Sequence, residues 1–177
     1  MRPLSELSEG IATWNGGLGW KRQFRLTRDW LTFASLQWET ASGSVALARS
    51  SQGIVMLERG PFASSKVVLR DLSTRREMGV FLADWREGGR LTLSSGREWT
   101  WRPESTSLSH WAFRDARGKA VLQLFVTSMG LAPVGTVAID PDSAELPELP
   151  LLVALGWYLL VHTIDDGALL VSVASRA

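Results

Sequence analysis

Apolar and polar positions alternate with a period of two between residues 23 and 139, in short runs separated by turn residues. Phe24 and Leu26, for example, flank the polar Arg25. The runs follow one another about every ten residues without a helical pattern between them, which predicts roughly ten to twelve β-strands. A set of this size favours a sandwich or a barrel, because a single open sheet would leave a face uncovered and its edges exposed.

The pattern changes near the C-terminus. From Leu149 to Val161 only a tyrosine hydroxyl and an indole N–H interrupt the apolar side chains, which predicts a helix over residues 150–164. Two interpretations are open, a membrane span and a core helix. The helix would be about 20 Å long against a hydrocarbon layer of about 30 Å, and neither end carries a Lys or Arg cluster.

We therefore predict a core helix buried on every side, which requires a tube of strands around it. The expected fold is mostly β, a barrel around a central hydrophobic C-terminal helix. We expect a single domain over 1–177, with an irregular segment over 1–20 and strands over 21–139. Whether residues 168–177 add a strand or extend the helix stays open.

Composition narrows the class of protein. The chain has 177 residues, of which 45% are hydrophobic and 21% charged, as in soluble globular proteins. It has no cysteine, which excludes disulfides and thiolate chemistry. The N-terminus lacks the pattern of a secretory signal, so we expect a cytoplasmic protein, with peripheral membrane association as the further expectation.

Charge is distributed unevenly. Residues 1–139 carry 18 Lys and Arg against 12 Asp and Glu, whereas residues 140–177 carry one against six. The basic residues are spread along the strands and form no block, so we expect no nucleic-acid partner.

Catalytic chemistry has little support. His110 and His162 are the whole supply of near-neutral bases, and no metal-ligand spacing, phosphate loop or dinucleotide motif is present. We expect no cofactor, no metal and no enzymatic activity. His162 is expected at the barrel mouth or bonded to a backbone carbonyl, and His110 on the surface.

The C-terminal acids suggest one alternative. Carboxylates of two aspartate pairs could meet at the barrel mouth and hold a hard cation. We expect ordinary solvated helix ends instead at these positions, which are Asp140, Asp142, Asp165 and Asp166.

Nine tryptophans are many for this length. Most are expected to fill the space between the wall and the helix, because large rigid rings bury much area; these are Trp38, Trp99, Trp101, Trp111 and Trp157. Trp14 and Trp20, in the segment expected to be irregular, are the candidates for a partner contact.

The basic stretch "KRQFRLTR" is the candidate binding site. Arg22 and Arg28 share strand parity with Phe24, so only part of the cluster points outward. Flanked by aromatic residues, it could hold an anionic headgroup, at about 1 kcal/mol per basic residue; an ordinary solvated strand is the alternative. The candidate site residues are Trp20, Lys21, Arg22, Arg25, Arg28 and Trp30.

Three segments carry a likeness to a known family: "LTLSSGREWTWRP" (Leu91 to Pro103), "HWAFRDARGKAVLQL" (His110 to Leu124) and "LPLLVALGWYLLVHTIDD" (Leu149 to Asp166). In their order the chain resembles the tubby C-terminal-like superfamily, in its LURP-one-related and phospholipid scramblase-like branch. The resemblance implies a closed antiparallel barrel of about twelve strands around a central helix. It also implies lipid or membrane association more than catalysis.

The leading hypothesis is a non-catalytic module that binds lipid headgroups or a membrane surface, with an anionic phospholipid surface as its partner. The alternative is a structural or protein-interaction barrel, including a homodimer, that has no lipid ligand. An enzyme with a pocket invisible in the sequence is the third. The sequence leaves the oligomeric state open.

Overall fold

The computed structural model describes residues 1–7, 10–17, 22–39, 43–60, 65–84, 88–128 and 133–165. These residues form twelve β-strands and one α-helix, α1 (Leu149–Asp165), with short 3₁₀ turns at Leu4–Leu7 and Pro141–Ser143. The strands are β1 (Ile11–Gly17), β2 (Gln23–Arg28), β3 (Leu31–Trp38), β4 (Val45–Ser50), β5 (Gly53–Arg59), β6 (Lys66–Asp71), β7 (Glu77–Asp84), β8 (Gly88–Leu93), β9 (Glu98–Pro103), β10 (His110–Arg114), β11 (Ala120–Ser128) and β12 (Val134–Ile139).

The strands close into a barrel. Each is antiparallel to the next along the chain, and β1 completes the ring by pairing with β12, where Trp14 lies opposite Gly135. Closure leaves the sheet without a free edge that could template aggregation. The predicted closed antiparallel barrel is confirmed, and the sandwich alternative is excluded.

The period of two in the sequence corresponds to the two faces of the wall. In β2, Phe24 and Leu26 are buried while Arg25 is exposed. In β9, Trp99 and Trp101 are likewise buried. Because successive strand residues point to opposite faces, this alternation fills the barrel with apolar side chains and leaves polar ones outside.

The helix α1 occupies the interior of the barrel. Fourteen of its 17 residues are buried. On one side the Trp157 ring stacks on Trp14 of β1, with ring centroids 5.8 Å apart. On another side, a Cβ at Gly156 would lie 3.0 Å from a methyl carbon of Leu124 in β11. The prediction of a core helix over 150–164 is confirmed.

Among the described residues there is no helix with the length and apolar character that crossing a membrane requires.

The tryptophans predicted to fill the core do so. All are buried, and they pack in pairs: Trp38 stacks on Tyr158 with ring centroids 5.7 Å apart, and Trp101 stacks on Trp111 at 5.2 Å. Offset aromatic stacking adds roughly 1 kcal/mol per pair to the gain from burial. The full set is Trp38, Trp99, Trp101, Trp111 and Trp157.

The prediction of an irregular segment over 1–20 is wrong for residues 4–7 and 11–17. Residues 4–7 form a 3₁₀ turn and residues 11–17 form β1. Gly16 allows close strand packing, since a Cβ there would lie 2.2 Å from the carbonyl oxygen of Gln23 in β2. Trp14, proposed above as a partner contact, is fully buried.

The two ends of the barrel differ in their connections. One end, called here the turn end, carries the hairpin turns after β2, β4, β6, β8 and β10 and the N-terminus of α1. The other, called the loop end, carries the remaining strand connections and the C-terminus of α1. Residues 168–177 lie outside the described residues, so their conformation stays open.

Candidate functional site

Arg22 points into the barrel at the loop end, as its shared parity with Phe24 predicts, and it is buried. Its guanidinium donates to both carboxylate oxygens of Asp165, at 2.5 and 2.6 Å, and lies 5.5 Å from the ring centroid of Trp38. A bidentate pair of this kind ties the C-terminus of α1 to the start of β2. Arg22 therefore does not belong to the outer surface.

The other two candidate arginines are on the wall. Arg25 is exposed on the outer face of β2 and has no acidic partner among the described residues. Arg28 is half-buried; it donates to the backbone carbonyl of Glu6 at 2.9 Å, and its guanidinium carbon lies 5.9 Å from the Phe33 ring centroid. Only Arg25 is fully available to a ligand.

Trp30 occupies the turn between β2 and β3 and is 89% exposed. A tryptophan so exposed contributes nothing to the core, and its amphipathic ring suits a wet apolar boundary. The candidates Trp20 and Lys21 lie outside the described residues.

The structure adds an arginine that the sequence analysis did not include. Arg49 of β4 is exposed, and Ser35 of β3 lies between it and Arg25, opposite both. With strands about 4.8 Å apart, the two arginines stand about 10 Å apart in one row. The register of two hairpins creates this row, which no contiguous stretch of sequence shows.

Strands β1 to β4 contain no Asp or Glu. Their wall, called here the acid-free wall, carries Arg25, Arg28 and Arg49 as its only charged strand residues. The exposed Ile11 at the start of β1 and Trp30 lie at its turn end. The acid-free wall therefore combines positive charge with an apolar edge.

The wall across the barrel is different. Three of its arginines pair with glutamates on the neighbouring strand or just beyond its end, so their positive charge is locally neutralised. The pairs are Arg70 with Glu58, Arg90 with Glu98 at 3.4 Å and Arg114 with Glu104 at 2.7 Å.

A cavity of about 470 Å³ opens at the turn end, between the β4–β5, β6–β7 and β8–β9 turns and the first turns of α1. The rest of this end is closed in part by the 3₁₀ turn Leu4–Leu7, which buries both leucines. Apolar side chains form the wall of the cavity: Ala48, Val55, Met78, Leu93, Leu151 and Ala154.

The cavity exists because small residues meet there. Where α1 faces β1 to β3, tryptophans and phenylalanines fill the space, whereas Ala48 of β4 and Ala154 of α1 both line the cavity. Two methyl side chains leave the gap that an aromatic ring fills elsewhere, and a closed barrel wall has limited freedom to collapse inward.

The rim of the cavity is charged. Arg49 and Arg76 line it and have no acidic partner among the described residues. The acids at the rim are engaged to different degrees: Glu148 accepts from Arg97 at 3.0 and 3.1 Å, and Asp71 accepts from its own turn.

Asp71 is held ionised by that turn. Its Oδ1 accepts from the Ser73 hydroxyl at 2.6 Å, the Thr74 amide at 2.7 Å and the Thr74 hydroxyl at 3.0 Å. These donors, Ser73 first, lower the pKa of Asp71 from 3.8 to about 2. The third rim acid, Glu77, is exposed and follows Arg76 directly.

The histidines are structural. His162 is buried near the loop end, with Nδ1 3.5 Å from Nη1 of Arg59 and its ring 4.4 Å from that of Tyr158. His110 is half-buried; its Nε2 lies 2.9 Å from Oε1 of Gln123. His162 lies toward one mouth of the barrel, as predicted, with the Arg59 guanidinium beside its ring.

The aspartates considered as a cation site do not meet. Lys119 Nζ lies 2.8 Å from carboxylate oxygens of Asp140 and of Asp142 near the turn end, whereas Asp165 pairs with Arg22 at the loop end. Asp166 lies outside the described residues. In the described ranges, no three His, Asp or Glu side chains group as metal ligands.

No protein-family model, curated protein or solved structure matches this chain. The resemblance to the tubby-like superfamily therefore stays a prediction, and the function has to be argued from the geometry of the molecule.

Proposed function

We propose that this protein is a non-catalytic module that binds anionic phospholipid surfaces through the acid-free wall. The observation that carries the proposal is the contrast between the two walls. Arg25 and Arg49 stand exposed in one row without an ion-pair partner among the described residues, while the arginines of β6, β8 and β10 are matched by glutamates.

The strength of such binding follows from the number of available charges. Each basic residue near an anionic membrane surface contributes about 1 kcal/mol, so two or three arginines alone give weak, salt-sensitive attraction. Screening over about 10 Å at 0.1 M salt limits this attraction to close approach. Trp30 and Ile11, at the edge of the same wall, supply an apolar contribution that salt does not screen.

The test is flotation of the purified protein with vesicles of neutral or anionic phospholipid, at low and high salt. We expect binding to anionic vesicles only, reduced by salt. Binding that is equal for neutral and anionic vesicles, or absent from both, contradicts the proposal and leaves the protein-interaction barrel as the alternative.

A matched pair of variants isolates the apolar contribution. Trp30→Ala removes the exposed ring at the edge of the acid-free wall. Leu82→Ala removes another exposed apolar side chain, 57% accessible, on the outer face of β7. We expect Trp30→Ala to weaken vesicle binding and Leu82→Ala to leave it unchanged. Equal effects would contradict the placement of the membrane-facing edge.

A further inference from the structure

The cavity at the turn end has the properties of a small-molecule site. Its volume of about 470 Å³ is in the lower part of the range for ligand pockets, about 300 to 1,000 Å³. Its walls are aliphatic, and its polar groups are confined to the rim. Such a division selects a ligand with an apolar body and a polar end.

The rim indicates the sign of that polar end. Arg49 and Arg76 lie on either side of β5 and β6. Arg49 of β4 is opposite Ile54 of β5, whose carbonyl accepts from the Leu72 amide just after β6. The Asp71 amide at the end of β6 donates to the Arg76 carbonyl. Both arginines line the same opening. Arginine forks match carboxylate and phosphate oxygens, often in bidentate geometry.

The acids at the rim reduce this preference without reversing it. Arg97 engages Glu148. Asp71 keeps its negative charge, although neutral turn donors occupy its Oδ1, and Glu77 follows Arg76 directly. The rim is therefore close to neutral overall, and the preference for an anionic head rests on the two arginines, which have no acidic partner among the described residues.

From these observations we propose that the cavity binds a single-chain amphiphile with an anionic head, of the alkanoate class. The hydrocarbon chain lies between Ala48 and Ala154, and the carboxylate pairs with Arg49 and Arg76 at the rim. The cavity suits one chain, because its volume is small for a two-chain lipid. This site is distinct from the vesicle-binding wall, although Arg49 borders both.

The first test is calorimetric titration with dissolved octanoate, decanoate and dodecanoate, without vesicles. Affinity should rise about fourfold per added methylene while the chain still finds space in the cavity. Dodecanol and dodecylamine have the same chain length with a neutral and a cationic head group, and both should bind more weakly than dodecanoate. Equal or tighter binding of the amine overturns the anionic assignment.

Variants then locate the site. Ala154→Leu places a larger side chain where the hydrocarbon chain passes Ala48 and should strongly weaken dodecanoate binding. Arg76→Gln, in an exposed turn that tolerates substitution, should weaken dodecanoate binding about threefold to fivefold and leave dodecanol binding unchanged. The control is Arg117→Gln, which removes an exposed charge from the β10–β11 turn and should bind like the parent protein.

Unchanged dodecanoate binding by both Ala154→Leu and Arg76→Gln overturns the proposal. The outcome is separable from that of the membrane proposal, because neither Ala154 nor Arg76 lies on the acid-free wall. If the protein binds dodecanoate but not anionic vesicles, only the membrane proposal is contradicted. If it binds anionic vesicles but not dodecanoate, only the cavity proposal is contradicted.

Discussion

The two walls of this barrel are built from the same alternation of residues but differ in how their charges are used. On strands β6, β8 and β10 the arginines are engaged by glutamates, for example Arg114 by two nitrogen–oxygen contacts with Glu104 at 2.9 and 2.7 Å. On strands β2 and β4, Arg25 and Arg49 are exposed and have no such partner among the described residues. Paired charges stabilise a fold modestly, whereas available ones attract other molecules.

The interior shows a similar contrast in a different place. Toward β1 to β3 the core is filled with stacked rings, such as Trp157 on Trp14. Toward β4 to β8, Ala48 and Ala154 leave a cavity open to solvent. The unpaired charge and the unfilled volume are both found at β4, where Arg49 belongs to the acid-free wall and to the cavity rim. Function is expected where a fold leaves such features unsatisfied.

The largest expected effect on stability comes from a substitution on the filled side of the core. Trp157→Ala should lower the free energy of unfolding by about 4 kcal/mol, because it leaves a large void against Trp14 and Phe24. Leu151→Ala, at the wall of the existing cavity, should cost about 2 kcal/mol, at the low end for such substitutions. Urea unfolding monitored by circular dichroism measures both values.

Equal losses in these two variants would contradict the difference between the filled and open sides of the core. A loss for Leu151→Ala larger than that for Trp157→Ala would show that the cavity side holds the core together.

A smaller effect separates the two walls. Arg114→Gln should lower the free energy of unfolding by about 1 kcal/mol, since it breaks a part-buried bidentate pair that lowers the pKa of Glu104 and leaves that carboxylate without its partner. Arg25→Gln should change it by less than about 0.5 kcal/mol. The comparison is made by the same urea titration, and a larger cost for Arg25→Gln would show a hidden structural role for the acid-free wall.

The smallest effect concerns pH at the cavity rim. The pKa of Asp71 is lowered to about 2 by donors from Ser73 and Thr74, so its contribution to stability is complete above the ordinary value of 3.8. The contribution falls away as the pH drops from 3.8 toward 2. The Thr74 amide resonance of the folded protein should shift with a midpoint near pH 2 in an NMR titration, and Asp71→Asn should remove the transition. A Thr74 shift centred near the ordinary aspartate pKa would contradict the hydrogen-bonded turn.

Much of the fold was predictable because it depends on local periodicity. The alternation in β2 gave the faces of Phe24 and Arg25, and the unbroken apolar run gave α1 to within one residue at each end. The short length of that run and its uncharged flanks were sufficient to predict burial inside a tube of strands.

Features that depend on distant contacts were not predictable in the same way. Gly16 fell in the segment predicted to be irregular, because nothing in the sequence shows that Gln23 of the neighbouring strand approaches it. The direction of Arg22 followed from parity, but its partner Asp165 lies at the other end of the chain. The cavity arises from the meeting of two alanines that are far apart in the sequence, which no local pattern records.

The central claim is that the acid-free wall binds anionic membranes, and a matched charge comparison tests it most directly. The measurement is the partition of two double variants onto anionic vesicles at low salt. Arg25→Gln with Arg49→Gln should bind about thirtyfold more weakly than the parent, at about 1 kcal/mol per arginine. Arg90→Gln with Arg117→Gln makes the same change in net charge elsewhere and should bind like the parent. Equal weakening of both variants would contradict the claim, because it would show that net charge alone, and not this wall, attracts the protein to the membrane.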